Sequence, residues 1–94
     1  MEGPRINEGY RIVGAVTVGN TEFVMGVNRG APDRYVTWQC RGGTDYFFGH
    51  YTNSDLKATR DLCERVLEEV QCREELREQA KNAREQKKKD REAR

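Results

Sequence analysis

The sequence predicts an α+β fold in two layers: a four-stranded antiparallel sheet (ββββ) packed by one long C-terminal helix. Three observations carry this. Six of the eight aromatic residues lie between Arg34 and Tyr51, in two β-branched, aromatic runs joined by a Gly-Gly turn. After Tyr51 the apolar spacing switches from two residues to helical spacing. From Arg73 onward the chain is charged and free of glycine and proline.

Residues 1–9 are polar, hold Gly3, Pro4 and Gly9, and read as a flexible leader. Tyr10–Val18 is the first strand, apolar on both faces, with Gly14 marking a bulge or a close neighbour. Its expected faces are Ile12, Gly14, Val16 and Val18 against Val13, Ala15 and Thr17. Gly19 and Asn20 form a two-residue turn, and Thr21–Val27 returns as the second strand. Gly30, Pro32 and Asp33 make 28–33 a loop.

The aromatic hairpin supplies strands three and four. Val36, Trp38 and Cys40 share one face, and Tyr35, Thr37 and Gln39 the other. In the fourth strand simple alternation sets Tyr46, Phe48 and His50 against Phe47, Gly49 and Tyr51. Thr52 and Asp55 read as a capping box, with Asn53 or Ser54 as alternative caps. Leu56, Thr59, Leu62, Cys63, Val66, Leu67 and Val70 then recur as one stripe wide enough to lie on a sheet. The organisation expected is a leader over 1–9, a ββββα domain over 10–72 and a charged helical extension over 73–94. If the helix covers the Val36/Trp38/Cys40 face, Trp38 packs against Leu62, Val66 or Val70.

Composition limits the rest. Only 35% of the residues are hydrophobic, so the core is small. The net charge of +1 selects no partner class. The strongest local bias is the basic tail of Lys87, Lys88, Lys89, Arg91 and Arg94. Three cysteines (Cys40, Cys63 and Cys72) and one histidine give neither a disulfide framework nor a zinc set, and buried free thiols are expected. No apolar run has the length of a membrane span and no leader has an apolar core, which points to the cytoplasm.

Little here resembles catalytic machinery. His50, paired with Cys40 or Cys63, is a remote nucleophile–base arrangement, and a local hydrogen-bonding role is the better reading. The glycines lack the lysine and hydroxyl of a phosphate loop. No cofactor or metal is implied, and the expectation is a protein that is not an enzyme. The aromatics are more informative. One helix covers one sheet face, so the other is expected to present aromatics to solvent or a partner. The partner-binding set expected from this is Tyr35, Phe47, Tyr51, Arg29, Arg34 and Arg41.

The run Asn28-Arg-Gly-Ala-Pro-Asp-Arg-Tyr-Val-Thr-Trp-Gln-Cys40, followed by Tyr46-Phe-Phe-Gly-His-Tyr51 and a capped helix, resembles small uncharacterised proteins carried on mobile elements of gut bacteria. Those share an N-x-x-A-P-x-x-Y-V-T-W segment, then G-H-Y and a helix. The resemblance covers residues 22–70, and the long charged extension departs from it. Mobile elements also carry small inhibitors of host defence nucleases, such as anti-CRISPR proteins. The resemblance thus implies an inhibitor by association. The expected function is non-enzymatic binding of a protein partner, through the open sheet face, the loop 28–34 and the protruding helix. A nucleic-acid-binding module using the same aromatics and basic residues is the alternative, and a homodimer is compatible with either.

Overall fold

The computed structural model describes residues 3–92, with side chains as far as Glu85. The basic tail from Lys87 therefore lies outside the described side chains. The fold is α+β: an antiparallel sheet packed against one long C-terminal helix. The sheet has five strands, one more than expected. They are β1 (Ile6–Asn7), β2 (Tyr10–Val18), β3 (Thr21–Val27), β4 (Tyr35–Arg41) and β5 (Asp45–Thr52), in the order β1-β2-β3-β4-β5. The extra strand comes out of the leader. Glu8 and Gly9 take positive φ values of 52° and 83°, which turns Ile6 and Asn7 back onto Arg11 and Tyr10.

Register fixes the faces. Val24 lies opposite Trp38, Gly26 opposite Val36 and Glu22 opposite Cys40. Phe23, Met25 and Val27 lie opposite Gln39, Thr37 and Tyr35 on the other face. The helix α1 (Asp55–Glu92) lies on this second face, as the Thr37 hydroxyl, which donates to Asp61, demonstrates. The condition for Trp38 to pack against Leu62, Val66 or Val70, helix coverage of the Val36/Trp38/Cys40 face, is therefore not met. Trp38 is 3% exposed on the opposite face.

What buries Trp38 is the sheet itself. The core comprises Tyr10, Val24, Val36, Trp38 and Cys40, with Ile12, Ala31 and Tyr46 packed against it. Tyr10, Tyr46 and Tyr51 meet the Trp38 ring edge-on, at centroid distances of 5.7, 5.5 and 6.2 Å. Tyr10 of β2 also meets Tyr51 of β5 at 5.9 Å, although two strands separate them. The sheet curls over this face to allow it. Arg5 and Glu8 bridge the gap: Arg5 Nε donates to Tyr46 Oη at 3.1 Å, and Tyr51 Oη donates to Glu8 Oε2 at 2.8 Å. The open aromatic face expected from one-sided helix coverage is instead closed over Tyr10 and Trp38, with Tyr51 still 45% exposed at its rim.

Two bulges make this possible. One lies between Ile12 and Gly14, the other between Thr37/His50 and Gln39/Phe47. Each adds a residue and reverses the alternation beyond it. Ile12 thus faces the aromatic core, while Gly14, Val16 and Val18 face the helix side. His50 shares a face with Phe47, and Tyr51 shares one with Tyr46, against the simple alternation.

Ser54 caps the helix, its Oγ accepting the Lys57 amide at 3.2 Å. Of the expected stripe, Leu62, Val66 and Val70 are half-buried, whereas Leu56, Cys63 and Leu67 are exposed. Ala58 is the one fully buried helical residue among those described. Arg73 closes the contact. Its guanidinium donates to Asn20 Oδ1 at 2.9 Å and lies against Gly19, where a Cβ would come within 2.3 Å of it. Described side chains from Glu74 to Glu85 are all exposed.

Two stability measurements follow. Trp38→Ala should cost about 3–5 kcal/mol, enough to abolish cooperative unfolding in so small a core. Ending the chain before Arg77 should leave the denaturation midpoint nearly unchanged, because the described residues removed bury little apolar surface. A large loss on truncation would reveal contacts made by the extension.

Candidate functional site

Both faces of the sheet carry polar chemistry, of different kinds. On the core face, Arg5 reaches Glu22 through two hydrogen bonds of 3.0 and 2.8 Å. The fork-to-fork geometry suits a guanidinium–carboxylate pair. The Arg5 bond holds the Glu22 carboxyl below its ordinary range, against opposing desolvation. Cys40 lies beside this pair, and burial pushes its thiol up. A buried thiol raised this way is a poor nucleophile. Cys63 and Cys72 are exposed, so burial of all three thiols does not hold.

On the helix face a network joins sheet to helix. Thr37, 0% exposed, is satisfied by Asp61. His50 Nδ1 lies 2.9 Å from Asp61 Oδ2, and Arg65 Nε lies 3.4 Å from the same oxygen. Arg65 also donates to His50 Nε2 at 2.9 Å and to the Phe48 carbonyl oxygen. With Arg65 donating to Nε2, the remaining ring proton sits on Nδ1 and points at Asp61. Both ring nitrogens are thus occupied. Cys40 is on the opposite face of the sheet, and neither it nor Cys63 is hydrogen-bonded to His50. Burial opposes the Asp61 charge, but the bonds from Thr37 and His50 outweigh it and lower its pKa. Burial lowers the Arg65 pKa against the pull of Asp61 and Glu68.

The Arg65 bond to the Phe48 carbonyl holds the most unusual residue in the chain. Phe48 occupies the β5 bulge with φ of 54°, a left-handed backbone that disfavours an aromatic residue. The residue is 70% exposed. Phe47 packs edge-on against it at 5.0 Å, and the Arg41 guanidinium lies 5.7 Å from the Phe47 ring centroid. Beside this group is a groove of about 420 Å³, between the helix and the β4–β5 hairpin, to which Phe23, Gln39, His50, Arg65, Glu68 and Cys72 contribute.

The expected partner-binding residues separate into three places. Arg41 and Phe47 meet on the β4–β5 hairpin. Arg29 lies diagonally across the helix face, in an open hollow of about 430 Å³ with Arg11, Val13 and Val27. Tyr35, half-buried, lies near that end, opposite both Val27 and Thr52. Arg34 is anchored there too: its amide donates to Asn53 Oδ1 at 3.0 Å and its carbonyl accepts from the Asn28 amide at 2.8 Å. Tyr51 belongs to the core face. Phe48 is the residue that sequence reasoning left out of the set. The signal for it was the Phe-Phe-Gly run, which breaks alternation at a glycine.

No group of three or more His, Cys, Asp or Glu side chains is placed to hold a metal ion among the described residues. No helix among them is long and apolar enough to cross a membrane. The chain matches no known family, no curated protein and no solved structure.

The two depressed carboxyls set an acid dependence. Each group with a lowered folded pKa contributes stability above its ordinary value and loses it as pH falls. For Glu22 and Asp61 those ordinary values are 4.5 and 3.8. Stability should therefore be full near neutral pH and decline as pH falls from about 5 towards 3. Denaturant midpoints measured across that range should show a shallower acid decline in Glu22→Gln and in Asp61→Asn. Unaltered slopes would remove these two groups as its cause.

Proposed function

We propose that this chain is a non-enzymatic binding protein acting in the cytoplasm by contact with a protein partner, with the β4–β5 hairpin and the adjoining helix groove as its contact surface. The observation that carries this reading is Phe48. An aromatic side chain is held in solvent on a left-handed backbone, where both its exposure and its conformation are unfavourable. The bulge itself turns Tyr51 towards Trp38, but an aromatic ring at the bulge position serves none of that packing. It serves a surface that offers a preset apolar anchor, since rigid aromatics lose little entropy on binding. Phe47 and Arg41 add the residue types common at the centre of such contacts.

The resemblance to mobile-element proteins makes a host defence nuclease the partner class to test first, with this chain as its inhibitor. Nucleic acid is the alternative partner. Against it, the arginines do not form one basic groove: Arg29 and Arg41 lie at diagonal corners of the helix face, and Glu68 and Glu69 line the groove beside Phe48.

The test uses Phe48→Gly. Glycine relieves the positive φ while losing only the exposed ring and its contact with Phe47. Stability should stay within about 1 kcal/mol of wild type, or rise. Partner binding should fall at least about tenfold, the minimum expected on deleting an interface anchor. Retained inhibition of the nuclease by a stably folded Phe48→Gly protein would reject this surface. Tight oligonucleotide binding that persists at physiological salt and drops with Arg41→Ala would favour the alternative.

A further inference from the structure

The outer edge of β2 is open. β1 pairs only with Tyr10 and Arg11, and the Ile12 amide donates to the Arg5 carbonyl at 2.9 Å. Pro4 precedes Arg5 and has no N–H to extend that ladder. From Gly14 to Val18, β2 pairs with β3 on its inner side, and no described strand lies on its outer side. Val13 is 53% exposed and Val16 41%, with Ala15 and Thr17 exposed between and beyond them.

Edges of native sheets are normally short, charged, bulged or interrupted by proline. β1 has two residues, and β5 carries the Phe48 bulge along its length. The β2 bulge ends where Gly14 begins. The run Ile12–Val18 contains no charge and no proline. The stretch free of a described outer strand spans five residues, about the length of an ordinary strand; alternate backbone groups along it point away from β3, and α1 approaches only its Val18 end, through Glu74 and Arg77.

We propose that this edge pairs antiparallel with the same edge of a second copy of the chain, about a two-fold axis near Val16, so that two sheets join into one. Such symmetry places each residue opposite its mirror position: Val16 opposite Val16, Ala15 opposite Thr17, Gly14 opposite Val18. A charge on the axis would therefore face itself, and like charges directly opposite destabilise a ladder. Here there is none. Arg11 and Glu22 lie outside the paired run. A strand from a different protein has no charge here to select it, whereas a second copy covers Val16 with its own counterpart. The contact is independent of Phe48 and of the groove beside it. Its small area makes the dimer a weak one, filled only at high concentration.

Sedimentation of the full chain from roughly 10 to 500 µM tests this, the range suited to a small interface. Wild type should dimerise as concentration rises, with amide exchange slowing in parallel at those residues of Gly14–Val18 whose amides point away from β3. Val16→Lys and Val16→Glu should each stay monomeric, and an equimolar mixture of the two should associate again. A wild type that stays monomeric throughout overturns the proposal. So does a dimer that survives both substitutions, or a mixture of the variants that remains monomeric. Should the variants fail to fold, wild-type exchange decides alone, and outward-pointing amides of 14–18 indifferent to concentration overturn it.

Discussion

The extra residue at Phe48 decides where every later side chain of β5 points. Without the bulge, His50 would face Trp38 and Tyr51 would face the helix. With it, Tyr51 packs edge-on against Tyr10 and Trp38 at the rim of the core, and His50 meets Asp61 and Arg65. One strand thereby serves two unlike environments, aromatic on one side and ionic on the other. A one-residue shift in register would exchange them and leave both unsatisfied. Gly49 completes the arrangement, since a Cβ there would fall 2.8 Å from Trp38 Nε1.

The helix holds its place through directed bonds more than through apolar area. Ala58 is its one fully buried residue among those described, while Asp61 and Arg65 sit at the interface that an apolar stripe would normally fill. Such a network gives a defined orientation with modest net stabilisation, because desolvation offsets much of the attraction. Arg65 is the shared member. It pairs with Asp61, bonds His50 and holds the Phe48 carbonyl, so the helix position and the presented aromatic ring are mechanically one unit.

The antiparallel order, both hairpin turns and the helix start were legible because each has a local cause. Gly19 with Asn20, Gly42 with Gly43, and Ser54 before a helical stripe act over a few residues. The face assignment was not, because it depends on parity, and parity depends on bulges. Gly14 advertised the first; Phe-Phe-Gly advertised the second only weakly. β1 was hidden for a different reason: a two-residue strand has no period to detect. The helix contact was misjudged through Asp61 and Arg65. These two residues, outside the expected apolar stripe, are the ones that bond Thr37 and His50, while Leu56 and Leu67 of the stripe are left in solvent. Of the six expected contact residues, Arg41 and Phe47 lie together as diagonal neighbours across one hairpin, a proximity that the turn already implied.

The two bulges differ in where they leave the backbone exposed. The one in β5 lies within the strand, so the outer ladder of that edge is broken into short pieces and an aromatic ring projects from the break. The one in β2 lies near its start, so the ladder beyond it is regular from Gly14 to the turn at Gly19. A regular, uncharged edge is a template for another strand; a broken one is not. The same device thus projects a side chain from one edge of the sheet and leaves a regular ladder along the other. A partner that needs the Phe48 ring and a strand that needs the β2 ladder approach different edges of the sheet, so occupation of one does not by itself obstruct the other.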